Sequence, residues 1–138
     1  MKKALIDTNI VSAYMRGNQS VIQRVKEYIH FHGTLTISVI TYYEIMRGLK
    51  ALSSPKKFKI FNEFMSVCDV LCFDSLIAEK ASDIYNELRM AGKLVEDADI
   101  LIAATALWHD LLVVTDNTRH FERIKGLKVV NWLGSQTI

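Results

Sequence analysis

Short apolar stretches alternate with longer amphipathic stretches along the whole chain, and this alternation limits the possible folds more than any other feature. Five apolar, largely β-branched stretches predict strands, at residues 4–6, 34–40, 70–73, 111–115 and 128–132. Their apolar residues follow one another with little alternation, as in strands that are buried on both faces. The pattern predicts a three-layer α/β/α sandwich around a central parallel sheet of about five strands.

The segments between the predicted strands carry apolar residues at helical spacing. Helices are expected at residues 20–31, from 41 to about 51, from 55 onward, from 75 to about 92, at 97–109 and at 119–124. A further helix should follow Asp7, with Thr8 or Asn9 as its cap. The stretch 97–109 is apolar on nearly all sides, which predicts a largely buried helix.

Length and composition indicate one ordered domain over residues 1–138, because half of the residues are hydrophobic and 23% are charged. The formal charge of +2 is too small to indicate a nucleic-acid binder by composition, so any RNA contact must come from local patches. Cys68 and Cys72, without adjacent histidines, predict neither a disulfide framework nor a zinc site. We expect both to be buried.

Neither a signal peptide nor a membrane span is predicted. The apolar run after Lys2 and Lys3 meets Asp7 after three residues, which is too short for a signal sequence. No run reaches the ~18 apolar residues that a membrane helix needs. We therefore expect a cytoplasmic protein.

Four acidic residues stand where the predicted strands end. Asp7 and Asp116 directly follow the first and fourth strands, Glu44 lies in the first turn of the helix after the second, and Asp99 begins the buried helix. Ligands of open parallel sheets bind beyond the carboxyl ends of the strands. We therefore expect all four carboxylates to converge there.

Clustered carboxylates repel one another unless a cation favours their charged forms. Oxygen ligands of this kind select Mg²⁺ or Mn²⁺. Such an ion polarises a phosphodiester, generates hydroxide from a bound water and stabilises the leaving oxygen. The acidic cluster therefore predicts metal-dependent hydrolysis of phosphodiesters.

Asp7 and Glu44 also have purely structural explanations. Asp7 can cap the helix that follows it, although Thr8 and Asn9 offer alternative caps. Glu44 stands three residues after Thr41, which is the capping-box spacing. By itself, neither residue indicates a site.

The other two acids are equally ambiguous. Asp97 and Asp99 are turned about 200° apart on a helix, so at most one faces the sheet edge, and spacing alone does not choose between them. Asp116 followed by Asn117 is also an ordinary turn signal. The specificity lies in the combination of acids.

These acids fall in four ordered motifs that resemble the PIN-domain nucleases, and within them the VapC toxins of toxin–antitoxin pairs. The motifs are Leu5-Ile6-Asp7-Thr8-Asn9, Ile37-Ser38-Val39-Ile40-Thr41 running to Glu44 and Gly48, Asp99-Ile100-Leu101-Ile102-Ala103-Ala104, and Val113-Val114-Thr115-Asp116-Asn117. The C-terminal stretch is also similar, from Arg119-His120-Phe121 through Gly126-Leu127 to Asn131-Trp132. The resemblance covers nearly the whole chain.

The resemblance implies a PIN-like fold and a metal-dependent endoribonuclease that acts as a toxin. It implies that Asp7, Glu44, Asp99 and a fourth residue bind Mg²⁺ or Mn²⁺, and it selects Asp99 over Asp97. Asp116 is our candidate for the fourth position, although Asn117 aligns more naturally with the Asp or Asn of relatives. The implied partners are structured RNA, with transfer RNA as a candidate, a VapB-like antitoxin whose tail covers the active-site groove, and a second copy in a homodimer.

Several cationic and polar residues near the predicted site are candidates for contact with RNA. The substrate residues we predict are Asn9, Arg16, Arg47, Thr115 and Asn117. Lys50, Lys93, Arg119 and Arg123 also lie in segments expected to border the same edge, with solvated surface charge as the alternative for each. Tyr42 and Tyr43 are expected to pack in the core rather than to stack on bases.

Two other functions are compatible with parts of this pattern. A phosphatase of the haloacid-dehalogenase kind, or a phospho-accepting receiver, also has an Asp after its first strand. The phosphatase pattern requires a second Asp two residues on, where this chain has Asn9, and no phosphate-binding P-loop is present. The second alternative is a non-catalytic domain that binds RNA or an antitoxin, which the open fourth position allows.

Overall fold

The computed structural model describes residues 1–134, so the last four residues of the predicted domain lie outside the described residues. Strands and helices alternate throughout this part, as the sequence predicts. In chain order the elements are β1 (Ala4–Ile6), α1 (Thr8–Met15), α2 (Gln19–His32), β2 (Leu35–Ser38), α3 (Val39–Leu52), α4 (Pro55–Met65), β3 (Cys68–Leu71), α5 (Ser75–Met90), α6 (Asp97–Trp108), β4 (Leu112–Val114), α7 (Thr118–Phe121) and β5 (Val129–Val130).

All three strand pairs are parallel, which confirms the predicted fold class, but the strands do not form one hydrogen-bonded sheet. Within residues 1–134, β4 lies between β1 and β5 in a three-stranded sheet, and β2 pairs with β3 in a two-stranded sheet. The prediction of one sheet of about five strands is therefore corrected. β2 still lies beside β1, and the Thr8 hydroxyl, just after β1, lies 3.1 Å from the Thr41 hydroxyl, just after β2. The carboxyl ends of both groups therefore face the same side of the domain.

A side-chain hydroxyl explains part of this division. The N–H of Leu112 bonds to the carbonyl of Lys3, and the N–H of Asp7 bonds to the carbonyl of Val114, so alternate residues of β1 serve the ladder with β4. The N–H of Ala4 points to the other side and donates to the buried Tyr28 hydroxyl at 3.0 Å. The Tyr28 side chain of α2 thus accepts the Ala4 N–H in the place where a carbonyl of a neighbouring strand would otherwise accept it.

Two hydrophobic cores cover the two faces of the β1–β4–β5 sheet. Ala4, Ile6 and Val114 pack with α1, α2, α3 and α4 in one core. Leu5 and Val113 pack with α5, α6 and α7 in the other. Because successive residues of a strand point to opposite faces, this division shows helices on both sides of the sheet, as in a three-layer sandwich.

Several predicted boundaries are corrected. Strand β2 ends at Ser38, whose hydroxyl accepts from the Thr41 N–H at 3.1 Å and caps α3, so the β-branched residues 39–41 form the first helical turn. Asp7 itself, rather than Thr8 or Asn9, caps α1. Cys68 is partly buried and Cys72 is exposed, so the expectation that both are buried is wrong. In residues 1–134, no helix is both long and apolar enough to cross a membrane.

Candidate active site

Asp7 and Thr115 lie side by side because each follows one strand of a parallel pair, β1 and β4. The Thr115 hydroxyl donates to Asp7 Oδ2 at 2.8 Å, and the Thr8 N–H donates to Asp7 Oδ1 at 2.8 Å. The Asp7 side chain is thus held at both oxygens while only 4% of the residue is exposed. It serves as a helix cap and as a site carboxylate at once.

The environment of Asp7 raises its pKa from 3.8 to about 6. Burial is the largest cause, the hydrogen bonds from Thr115 and Thr8 oppose it, and the charges of Asp99 and Glu44 raise the pKa further. A neighbouring divalent cation favours the ionised form and reverses such a shift. We therefore expect Asp7 to ionise more readily when a divalent cation binds beside it.

Glu44 reaches the same place from α3. The Thr8 hydroxyl donates to Glu44 Oε1 at 2.6 Å and lies 3.1 Å from the Thr41 hydroxyl. Because Ser38 is the cap of α3, Glu44 lies in the second helical turn, and the capping-box explanation with Thr41 is wrong. Its side chain instead contacts the residue next to Asp7.

Asp99, in the first turn of α6, contacts two residues of the segment after β4. Its Oδ2 accepts from Asn117 Nδ2 at 3.3 Å and lies 3.3 Å from His120 Nδ1. Burial is the main cause that raises the pKa of Asp99, whereas the hydrogen bond and charge of His120 lower it. Asp97 is exposed, which agrees with the choice of Asp99.

His120 lies in the C-terminal motif but was not predicted to be a site residue. Its Nδ1 is 2.8 Å from Asn117 Nδ2, so His120, Asn117 and Asp99 form one hydrogen-bonded cluster. The spacing could have indicated this cluster, because His120 stands three residues after Asn117 and residues three apart on a helical turn lie on the same face.

The two candidates for the fourth position differ in where they lie. Asp116 is exposed and lines the same cavity as the other three acids, and its N–H donates to Asn9 Oδ1 at 3.4 Å. Asn117 donates its side-chain amide to Asp99 and its N–H to the Thr115 hydroxyl at 2.9 Å. Asp116 thus faces the cavity, and Asn117 holds the residues behind it.

An open cavity of about 380 Å³ brings the predicted acids together. It is lined by Asp7, Thr8, Asn9, Ser12, Arg16, Glu44, Asp99 and Asp116. Within residues 1–134, no three His, Cys, Asp or Glu side chains are already grouped as metal ligands. The donor set nevertheless fits Mg²⁺, which is usually bound by one or two carboxylates, several waters and substrate phosphate. Any of the four carboxylates that line the cavity can supply these ligands.

The five predicted substrate residues divide into three groups, and Asn117 belongs with Thr115 because its side-chain amide bonds to Asp99 instead of lining the cavity. Asn9 and Arg16 line the cavity. Thr115 is fully buried, so we reassign it from contact with substrate to holding Asp7. Arg47 is exposed outside the cavity lining and stacks at 5.2 Å over the ring of Tyr43, and Tyr43 is 58% exposed, which corrects the expectation that it packs in the core.

Comparison with known proteins identifies the family of this chain. The family model of the PIN domain matches residues 4–127. The chain is 34% identical to "Ribonuclease VapC1" of Methanocaldococcus jannaschii, over 92% of this chain and 86% of that protein. It is 32% identical to "tRNA(fMet)-specific endonuclease VapC" of Shigella flexneri, over 96% of this chain and 99% of that protein.

Solved structures show the same fold. The crystal structure of DNA-bound VapBC from Salmonella typhimurium matches with a TM-score of 0.85 and 30% identity, over 96% of this chain and 99% of the matched chain. FitAcB from Neisseria gonorrhoeae matches with a TM-score of 0.81 and 29% identity, over 94% and 97%. The chain belongs to the PIN-domain family and, within it, to the VapC ribonucleases.

Proposed function

We propose that the chain is an endoribonuclease that depends on Mg²⁺ or Mn²⁺ and is the toxin of a toxin–antitoxin pair. One observation carries this proposal: Asp7, Glu44, Asp99 and Asp116 line a single cavity at the carboxyl ends of β1 and β4. The names of the VapC relatives support ribonuclease activity. The proposed place of action is the cytoplasm, where cellular RNA is available as a substrate.

The residues of the cavity divide the work of hydrolysis. A bound divalent ion supplies Lewis acidity and lowers the pKa of a coordinated water. Asp7 and Asp99 are the best-placed ligands because Thr115 and Thr8 fix the first and Asn117 fixes the second. Thr8 also orients Glu44. Preorganised groups of this kind stabilise developing charge without rearranging during the reaction.

Arg16 follows α1 and, among residues 1–134, is the only cationic side chain that lines the acidic cavity. A guanidinium binds phosphate oxygens in a bidentate manner. It therefore orients the scissile phosphodiester against the carboxylates. Asn9, on the same wall, adds a polar group for the substrate.

Structured RNA is the proposed substrate, with transfer RNA as the leading candidate. The relative from Shigella flexneri, which is 32% identical over nearly its full length, is named as an endonuclease specific for tRNA(fMet). The relative from Salmonella typhimurium has the same name. Bulk transfer RNA is therefore the first substrate to test.

The proposed protein partner is a VapB-like antitoxin, since several matched structures are VapBC complexes. An apolar groove of about 260 Å³ lies beside the acidic cavity and shares four lining residues with it. Met15, Ile45, Leu49, Leu52 and Ile60 supply its apolar surface. An antitoxin segment in this groove reaches the acids directly. A homodimer remains a prediction.

The decisive experiment incubates the purified chain with bulk transfer RNA in Mg²⁺ or Mn²⁺. We expect cleavage that EDTA abolishes and that Asp7→Asn and Asp99→Asn each reduce by at least ~100-fold. Asp83→Asn, which removes an exposed carboxylate from α5, is the matched control and should retain full activity. Intact RNA with the parent protein favours the non-catalytic alternative. Full activity in folded Asp7→Asn and Asp99→Asn contradicts the proposed mechanism.

A further inference from the structure

A second cleft lies on the α5 side of the domain and shares no lining residue with the acidic cavity. Its volume is about 310 Å³, and its floor includes the buried apolar residues Ile84, Leu88 and Ile124. Four cationic side chains line it, with Glu87 as the one acid: Lys80, Lys93, Arg123 and Lys125. We refer to this as the basic cleft.

The charge of the basic cleft is concentrated and unpaired. The whole chain has a formal charge of only +2, yet the cleft holds four cationic groups against one acidic group. Within residues 1–134 the ion pairs are Lys2 with Asp110 and His120 with Asp99, and neither involves the cleft. Its cations are therefore available to an external anion.

Arg123 is also preorganised. Its Nη1 donates to the carbonyls of Lys93 and Leu94 at 3.4 and 3.1 Å, which fixes the guanidinium against the loop between α5 and α6. Both of these bonds use Nη1, so the Nε and Nη2 N–H groups take no part in them and offer a rigid donor edge. A fixed arginine loses less side-chain entropy when it binds phosphate than a free one does.

The basic cleft borders segments that carry the acidic site. Arg123 follows His120, which contacts Asp99, by three residues. Lys93 and Leu94 lie in the loop that leads into α6, where Asp99 occupies the first turn. A polyanion held at this end of the cleft is thus next to the segments that hold Asp99.

We propose that the basic cleft binds the sugar-phosphate backbone of the RNA substrate, away from the bond that is cut. This inference rests on the proposed function, because it takes RNA as the ligand. A structured RNA extends well beyond the acidic cavity, and its phosphates require cations along its path. Lys80 and Lys125 line the cleft and are exposed, so they meet this requirement.

The test is a binding measurement with transfer RNA as the probe, in an Asp7→Asn background so that cleavage does not interfere. The variant Lys80→Gln/Lys125→Gln removes two charges from the cleft. The control Lys26→Gln/Lys59→Gln removes two from exposed positions on α2 and α4. We expect the cleft variant to bind about 10-fold more weakly and the slope of log K against log salt to fall by ~2, about one per lysine. The control should change both quantities much less.

Activity measurements in the otherwise native protein complete the test. We expect the cleft variant to raise KM for transfer RNA and to leave kcat unchanged, because neither lysine touches the acidic cavity. Equal losses of binding in the cleft and control variants overturn the proposal. So does a cleft variant that binds transfer RNA normally but no longer binds polyglutamate, since the ligand is then an acidic polypeptide.

The two proposals fail in different ways. If the parent cuts RNA and the cleft variant binds transfer RNA as the parent does, the basic cleft proposal is wrong and the nuclease stands. If the parent leaves RNA intact but the cleft variant alone weakens binding, the nuclease is wrong and the cleft stands as an RNA site.

Discussion

The hydroxyl of Thr115 donates to Asp7 Oδ2 at 2.8 Å and accepts from the N–H of Asn117 at 2.9 Å. This fully buried side chain links Asp7, which follows β1, to Asn117, which lies in the segment after β4. Its hydrogen bond lowers the pKa of Asp7, while burial raises it. Thr115 therefore helps to set the pH at which Asp7 becomes charged.

Thr115→Val tests this role with little change in shape. Without the hydrogen bond, the pKa of Asp7 should rise above its value of about 6, so the acidic limb of kcat/KM against pH should move to higher pH. For a rise of about one unit, we expect activity at about pH 7 to fall by about 2-fold, and by more at lower pH, since a larger fraction of Asp7 is protonated. Thr105→Val removes another buried hydroxyl, which donates to Leu101, and should leave the acidic limb in place. Superimposable limbs for Thr115→Val and the parent would contradict the prediction.

The ionised form of Asp7 should cost stability at high pH in the absence of metal. Its pKa is about 6 in the folded chain against 3.8 as the ordinary value, so the folded state holds the proton more tightly. The cost, about 3 kcal/mol for a shift of about 2 units, is full above pH 6 and disappears as the pH falls from 6 to 3.8. Asp7→Asn should thus be more stable than the parent at about pH 8, with a difference that shrinks towards about pH 4.

Urea unfolding in EDTA measures this difference. Other groups titrate over the same range in both proteins, so the parent and Asp7→Asn are compared at each pH. Asp83→Asn, whose carboxylate is exposed, should show no such pH-dependent difference. A stability gap between Asp7→Asn and the parent that is constant from about pH 4 to about pH 8 would show that the carboxyl group is not desolvated.

Addition of Mg²⁺ should reverse this cost. A ligand that binds only the folded state stabilises it by about 2.7 kcal/mol at a hundred times its Kd, and a cation beside Asp7 favours the charged carboxylate. We expect Mn²⁺ or Mg²⁺ to raise the Tm of the parent at about pH 8 and to have little effect on Asp7→Asn. Controls in EDTA, and in KCl at the same ionic strength, separate this from a general salt effect. An equal rise in Tm for both proteins would place the ion elsewhere.

Asp116 and Asn117 should fail in different ways when they are changed. Asp116 lines the cavity, so Asp116→Asn should raise the Mg²⁺ concentration needed for half-maximal cleavage by several-fold. Asn117→Asp puts a charge beside Asp99, so it should raise the pKa of Asp99 and shift the acidic limb of the pH profile upward. Metal titrations and pH profiles of both variants provide the comparison. The same metal dependence and the same pH profile in the two variants would contradict the separate roles of Asp116 in the cavity lining and Asn117 beside Asp99.

Local signals were enough to predict the end of β1 and, to within one residue, that of β4, and with them the places of Asp7 and Asp116. The predicted ends of β2, β3 and β5 were each two residues too late. A polar residue after a buried apolar run marks where a parallel strand leaves the core, and this property is written in the sequence. The choice of helix cap was not predictable in the same way. Asp7, Thr8 and Asn9 are all good caps, and only the packing of β4 against β1 shows that Asp7 fills this role with one oxygen and meets Thr115 with the other.

Features that depend on distant contacts were also missed. Glu44 has the spacing of a capping box, but Ser38 had already started the helix. Arg47 and Glu44 are three residues apart on α3, yet Glu44 lines the cavity and Arg47 stacks on Tyr43 outside it. Which side of a helix faces the site depends on the helix's rotation against its neighbours. That rotation is set by packing with residues far away in the sequence.

The hydroxyl of Tyr28 should be worth a measurable part of the stability of the fold, because it accepts the N–H of Ala4 at 3.0 Å where β1 has no strand ladder to accept it. The ring is 2% exposed and packs 5.9 Å from Trp132, so Tyr28→Phe keeps the packing and leaves one buried donor unpaired. An unpaired buried donor costs ~1–3 kcal/mol. Urea unfolding should show a loss of that size at an unchanged m-value, whereas Tyr85→Phe, at a position 42% exposed, should change stability by less than ~0.5 kcal/mol. Equal unfolding midpoints for the two variants would mean that the Ala4 N–H finds another acceptor. The hydrogen bonding of β1 on the side that faces β2 would then not depend on Tyr28 of α2.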